Sequence, residues 1–255
     1  MMEVRAPLFA ANWKMHLGPE ETREFVSRFA GMYGPRDDRT VVFFPAAVSI
    51  SAFARAGENR TDLGIGVQDV HQEDSGAHTG AVSASMAAQA GAVWGLAGHS
   101  ERRAEFGDDD EIVGLKLVRL LDAGIRPILC LGETRQEREE DRLYEVLSRQ
   151  IGAAVRELTA EQRRRLTYAY EPVWAIGTGL TAEPADAAEA HGILRKRIAH
   201  LTDDDTARDS LILYGGSVKP NNIAQLLAAD GVDGVLVGGA SLDPGDFAKI
   251  CAAGR

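Results

Sequence analysis

The run Tyr170-Glu171-Pro172-Val173-Trp174-Ala175-Ile176-Gly177-Thr178-Gly179 sets a carboxylate at the end of an expected strand, Leu166 to Tyr170. A carboxylate on a rigid strand end can serve as a general base, because proton transfer needs fixed placement. The Pro-led segment that follows is stiff at its start and closed by two glycines. Such a segment can move as a lid, since hinges absorb backbone change at few residues. Taken alone, the stretch is equally an ordinary strand-to-helix connection with an incidental Glu. Other strand ends supply matching chemistry: Asn12-Trp13-Lys14 an amide and a cation, Gly98-His99-Ser100-Glu101-Arg102-Arg103 an imidazole, and Gly132-Glu133 a second carboxylate. Gly215-Gly216-Ser217 and Gly238-Gly239 are turns whose backbone N–H groups could hold a phosphate.

The chemistry this set fits is proton abstraction next to a carbonyl. Glu171 would remove the proton, His99 would polarise or protonate the developing enolate oxygen, and Lys14 would hold a fixed positive charge near it. Ser100-Glu-Arg-Arg reads as a helix start, so His99 faces the positive end of a helix dipole, which favours neutral imidazole. Each residue also has a plainer reading. Lys14 could be a surface lysine, His99 a structural histidine bonded to backbone, and the glycine pairs mere tight turns.

The elements that must position these groups alternate from end to end. Strands are expected at Leu8–Ala11, Val41–Phe44, Gly64–Val67, Val93–Ala97, Pro127–Leu131, Leu166–Tyr170, Leu211–Tyr214 and Val235–Val237. Helices are expected near Glu20–Met32, Val48–Arg55, Ser83–Ala90, Asp109–Asp122, Arg135–Leu158, Asp186–Leu201, Pro220–Ala229 and Asp243–Ala252. In the fourth, Val113, Leu117, Leu120 and Leu121 make one apolar helical face. Eight such units with apolar strands imply an α/β fold with a parallel sheet covered by helices. Closure into a single (β/α)8 barrel over residues 1–255 leaves no edge strand, and an open doubly wound sheet is the alternative. In such a barrel the active site forms at the C-terminal strand ends, where every group above lies.

The charged run Arg135-Gln-Glu-Arg-Glu-Glu-Asp-Arg142 reads as the solvated start of a helix, and Thr202-Asp-Asp-Asp205 as a polar turn without calcium-loop spacing. Gln68 to Val82 has neither helical nor strand period, and unstructured connections of about 12–15 residues tend to be functional. A lid or an interface loop is the expected role.

The chain has 255 residues and a formal net charge of −10, which disfavours a nucleic-acid surface. That charge says little about a bound anion, because salt screens over roughly 8 Å and nearby donors decide. No apolar run reaches the ~18 residues of a membrane helix, and the first residues lack a signal peptide's basic start and apolar core. Cys130 and Cys251 are too few for a disulfide framework, and Cys130 sits in an apolar run as a buried free thiol. A cytoplasmic location is the expectation.

Asn12-Trp13-Lys14-Met15, Gly98-His-Ser-Glu-Arg-Arg103, Tyr170-Glu171 through Gly179, Tyr214-Gly-Gly-Ser-Val218 and Leu236-Val-Gly-Gly-Ala-Ser-Leu242 together resemble the triosephosphate isomerase family. The motifs stand in family order and span the chain. The resemblance implies interconversion of dihydroxyacetone phosphate and D-glyceraldehyde 3-phosphate through an enediol(ate), without metal or cofactor. It makes Glu171 the base, His99 the electrophile, and Lys14 and Asn12 the substrate-oriented polar pair, with Glu101 in support. Pro172–Ala182 would be the lid, closing over a phosphate held by Gly177, Ser217, Gly238 and Gly239. Tyr214 and Ser217 would latch it, while Tyr170 and Glu133 would receive Trp174 at the hinge. Gln68–Val82 resembles the family's dimer loop, so a homodimer is implied in which Thr79 contacts Asn12 and Lys14 of the other copy.

Three residues depart from the pattern: Ala81 and Asp108 stand where many members carry Glu, and Leu180 where many carry Lys. These put interface ion pairs and lid kinetics in question. A paralogue acting on a four-carbon ketose phosphate would use the same groups, since one extra carbon is worth only about 1–3 kcal/mol. A non-catalytic barrel predicts loss of Lys14, His99 or Glu171, and all three are present. An indole-forming synthase would keep the glycine turns but needs no Glu-Pro-Val-Trp lid.

Overall fold

Apolar strand runs separated by helical sequence close on themselves in the computed structural model, which describes residues 4–176 and 182–254. Strands β1 (Leu8–Asn12), β2 (Thr40–Phe44), β3 (Leu63–Val67), β4 (Trp94–Ala97), β5 (Arg126–Leu131), β6 (Thr167–Tyr170), β7 (Ile212–Tyr214) and β8 (Gly234–Val237) form one closed parallel barrel in chain order. Leu8 pairs with Thr40 on one side and Gly234 on the other, which completes the circle. Each strand lies within one residue of its expected bounds at either end, because a strand buried on both faces reads as a short apolar run. The barrel is therefore the outcome, and the open sheet is not.

Side-chain alternation along each strand splits the apolar residues into two cores. Leu8, Ala10, Val42, Phe44, Trp94, Leu96, Ile128, Cys130, Ala169, Leu213 and Leu236 cluster together inside the barrel. Phe9, Ala11, Val41, Phe43, Leu129, Tyr168, Tyr170 and Tyr214 belong to the larger core between strands and helices. Gly64 and Gly66 on β3 make room inside: a Cβ at Gly66 would stand 2.2 Å from the Phe44 ring, and one at Gly64 would stand 3.1 Å from the Trp94 ring.

The helical outer layer departs from expectation in two places. The run expected as one helix from Arg135 to Leu158 is two, Arg135–Glu139 and Leu143–Ala154, followed by a short turn at Ala160–Arg163. Thr134 caps the first with a reciprocal Glu137 bond, and that helix buries none of its residues. It ends where Asp141 takes a left-handed φ of 56°. The second buries Leu143, Val146, Leu147, Gln150, Ile151 and Ala154 on one face, so it is fixed by packing and not by the charged run. The aspartate cluster expected as a polar turn instead opens a helix over Asp204–Asp209, with the Asp203 carboxylate accepting the Thr206 N–H at 2.7 Å.

Residues 68–83 form no helix or strand, as expected. Among the described residues, no helix is long and apolar enough to cross a membrane.

Candidate active site

Period-two alternation carries the inward face of the barrel past its apolar filling to the C-terminal rim. After Ala10 the next inward position on β1 is Asn12, after Ala169 it is Glu171, after Leu213 it is Gly215, and after Leu236 it is Gly238. These four line one cavity of about 470 Å³ with Lys14, His99, Gly216, Ser217 and Gly239. The structure thus gathers Asn12, Lys14, His99, Glu171, Ser217, Gly238 and Gly239 at one mouth. Gly177 was expected there too and lies outside the described residues.

Lys14 sits in a left-handed conformation, φ 53°, which costs a residue with a Cβ free energy and persists only where neighbours over-determine it. Asn12 Oδ1 accepts the Lys14 N–H at 3.0 Å, and Gln68 Nε2 donates to Lys14 O at 2.7 Å. The ammonium is held by Glu101 Oε1 at 2.5 Å. Trp13 ties this loop to the last glycine turn: its indole N–H donates to Ser241 O, and the Ser241 hydroxyl donates to Gly238 O at 2.7 Å. A Cβ at Gly238 would stand 3.4 Å from Lys14 Cε, so the turn approaches the lysine stem closely.

His99 is the N-cap of a one-turn helix, Ser100–Glu105, as expected from Ser-Glu-Arg-Arg. Its Nδ1 accepts the Glu101 N–H at 3.3 Å, so the ring proton sits on Nε2, 3.1 Å from Glu171 Oε1. Arg103 braces the end of β4 by donating to Gly98 O at 2.8 Å while pairing with Asp110.

Glu171 is 2% exposed and His99 6%. A buried carboxylate must be matched by donors, and Ser100 supplies two: its N–H to Oε2 at 3.0 Å and its hydroxyl to Oε1 at 3.1 Å. Gly215 is dictated by this packing, since a Cβ there would stand 2.9 Å from Glu171 Cγ. Burial pushes the Cys130 thiol well above its ordinary pKa, and the Glu171 carboxylate adds to the effect.

Beside this cavity, three of the expected supporting residues form their own cluster. Tyr170 Oη and Trp174 Nε1 both donate to Glu133 Oε1, at 2.9 and 2.7 Å. Burial raises the Glu133 carboxyl pKa despite those bonds. Gln150, from the Leu143–Ala154 helix, clamps the preceding Gly132 through both its N–H and C=O. Tyr214 Oη is buried without a hydrogen-bond partner among the described residues.

Thr79 lies on an exposed stretch from Glu73 to Ala81. Under the root of that loop, Lys116 is buried between Asp69 and Asp108, 2.6 Å from each, and Arg102 reaches both carboxylates. Asp108, one of the departures, is thus ion-paired in this chain with Lys116 and Arg102. Leu180 lies outside the described residues.

Sequence reasoning missed Ser100, Gln68, Gln150 and Lys219, of which Lys219 lines the cavity. Ser100 and Gln68 are adjacent to strand ends already singled out, so position alone could have found them. Gln150 comes from mid-helix and carries no such signal. Among the described residues, no group of three or more His, Cys, Asp or Glu side chains could hold a metal ion.

The triosephosphate isomerase family profile matches residues 7–254. A triosephosphate isomerase of Symbiobacterium thermophilum is 44% identical over 98% of this chain and 97% of its own. One from Roseiflexus castenholzii is 43% identical over 97% of each chain. The crystal structure of triosephosphate isomerase from Bartonella henselae superimposes with a TM-score of 0.87 at 34% identity, covering 96% of this chain and 98% of that one.

Proposed function

The chain belongs to the triosephosphate isomerase family and interconverts dihydroxyacetone phosphate and D-glyceraldehyde 3-phosphate, and we propose that Glu171, His99 and Lys14 carry out the reaction. The four-carbon alternative finds no support among relatives that carry the triose name. One observation carries the assignment of roles. A buried carboxylate, an imidazole Nε2–H and an ammonium line one 470 Å³ cavity beside two glycine turns.

Glu171 removes the proton from the carbon next to the carbonyl. The Nε2–H of His99 donates to the carbonyl oxygen as it gains charge, and Lys14 and Asn12 orient that oxygen. This division of labour is the established one for triosephosphate isomerases and not a deduction from these distances. What the geometry adds is a resting state. Ser100 and His99 place three donors on the carboxylate, two on Oε1 and one on Oε2, which orients it and leaves an Oε2 lone pair open to accept a carbon-bound proton. The phosphate is held by backbone N–H groups of Ser217, Gly238 and Gly239, joined by Gly177 when the Pro172–Ala182 segment closes. Closure is the family's known device for keeping water from the enediolate phosphate. Tyr214 and Ser217 latch that segment, and Glu133 with Tyr170 holds Trp174 at its start. Replacing Glu171 by Gln keeps the shape and removes the base. We expect turnover to fall by several orders of magnitude with the circular dichroism and melting temperature close to parental; near-normal turnover would refute the role of Glu171.

The same reading makes the protein a cytoplasmic homodimer of one-barrel subunits, with no nucleic-acid or membrane partner. Met15, next to the Lys14 carbonyl that Gln68 holds, is 93% exposed, and Met86 lies open in a cleft with His71, Glu73 and Asp74 of the Gln68–Val82 loop. Exposed apolar side chains grouped round an exposed loop favour a protein interface. In a second copy's site, Thr79 at the loop tip contacts Asn12 and Lys14. Sedimentation equilibrium at micromolar concentration should give twice the chain mass, and a single-chain mass in an active sample would contradict the dimer.

A further inference from the structure

Three charged groups besides His99 border the substrate cavity: Lys14, Glu171 and Lys219. Lys14 is already paired with Glu101 at 2.5 Å, and that pair is neutral as a unit. Glu171 leaves one negative charge in a cavity that must admit a phosphate dianion. The protein as a whole carries −10. Lys219 is the lining cation without an ion-pair partner among the described residues, and its side chain is exposed at the mouth.

Its placement is built by the backbone. Asn222 Oδ1 accepts the Lys219 N–H at 2.8 Å, and Asn222 Nδ2 donates to Ser217 O at 2.9 Å. One side chain thereby spans the turn that follows the phosphate-facing Ser217. Val218 is buried as an anchor, and Pro220 restricts the backbone of the residue before it. The turn fixes where the ammonium starts, while the flexible stem lets it follow a ligand.

We propose that Lys219 is a substrate-capturing residue that attracts the substrate's phosphate group to the cavity and offsets the Glu171 charge there. The proposal rests on this cavity being the triose-phosphate site. A charge at the rim of a cleft raises local anion concentration and association rate, and its effect fades with salt. Capture is therefore affected more than turnover.

The test compares the parent enzyme with Lys219→Gln, Lys219→Glu and Lys219→Arg. Steady-state kinetics on D-glyceraldehyde 3-phosphate are run from low to physiological ionic strength, with inorganic phosphate as competitive inhibitor. Lys219→Gln should lower kcat/KM roughly three- to ten-fold at low salt, the scale of one unit charge near a surface. It should flatten the salt dependence of kcat/KM, move kcat less than KM, and weaken phosphate inhibition by a similar factor. Lys219→Glu should exceed it in the same direction, and Lys219→Arg should restore the parental salt slope. Parental kcat/KM, salt slope and phosphate inhibition in both Lys219→Gln and Lys219→Glu would overturn the role of Lys219 alone. Failure of inorganic phosphate to compete in the parent enzyme would overturn the proposal together with the reading of the cavity.

Discussion

Below the rim, the inward positions of the strands hold Leu8, Ala10, Trp94, Leu96, Ile128 and Leu213, all buried among one another. Two residues beyond Ala10, Ala169, Leu213 and Leu236, the inward positions are Asn12, Glu171, Gly215 and Gly238. The lower region is fixed by volume: close-packed apolar groups need only fill space, and their burial drives folding. The rim is fixed by named bonds. Asn12 bonds to the Lys14 N–H, Glu171 takes three donors, and Lys14 is held at its amide, its carbonyl and its ammonium. Buried polar groups of this kind cost stability unless every one is matched. The barrel thus separates its two tasks by height along a strand. Damage to one region should leave the other largely intact.

The sharpest test of that separation is at the rim. His99→Gln removes the electrophile while leaving a side chain of related size. It should lower kcat by about 10²–10⁴-fold, the usual worth of one acid–base group, with little change in melting temperature. A fall in melting temperature matching the loss in rate would mean the rim also holds up the barrel. In the opposite sense, Leu8→Ala leaves a void at the lower end of the barrel interior, where Leu8 lies in register with Thr40 and Gly234. Truncating a buried Leu costs about 2–5 kcal/mol, readable as a lower urea midpoint, while kcat of the folded fraction at low temperature should fall far less than in the His99 variant. Equal losses of rate would erase the distinction.

A smaller effect comes from outside both regions. His191 is fully buried against the Tyr170 ring, with Nδ1 bonded to Gly231 O and Nε2 without a partner among the described residues. Burial lowers its pKa from 6.5 to about 4. Between those values the unfolded chain binds a proton that the folded chain does not. Stability therefore falls as pH drops from about 6.5 towards 4, by about 3 kcal/mol in all. Urea unfolding of His191→Phe at pH 7.5 and 4.5 should show this acid loss reduced by most of that amount; an undiminished loss would assign it to other groups.

What could be read from the sequence follows the same division. The strands were legible because doubly buried strands leave short apolar runs, and the site because it must lie at their ends. The alternation that sends Ala169 inward also sends Glu171 inward, so one residue count places the base in the cavity. The break between Arg135–Glu139 and Leu143–Ala154 was not legible, because no glycine or proline marks it and Asp141 takes the left-handed turn instead. The helix at Asp204–Asp209 was legible in principle, since Asp203 is an ordinary capping residue three positions before Thr206. Gln150 and Lys219 reach the site region from a helix face and a turn well beyond a strand end. Only tertiary packing reveals them.

The central claim is that the polar rim moves a proton through Glu171. It is tested most directly by incubating dihydroxyacetone phosphate with the parent and with Glu171→Gln in deuterated water and following deuterium at the carbon that loses its proton. The parent should introduce carbon-bound deuterium during turnover, and the variant should slow exchange and isomerisation by the same large factor. Exchange at the parental rate in Glu171→Gln would place the base elsewhere, and turnover by the parent without any exchange would contradict proton transfer through an exchangeable base.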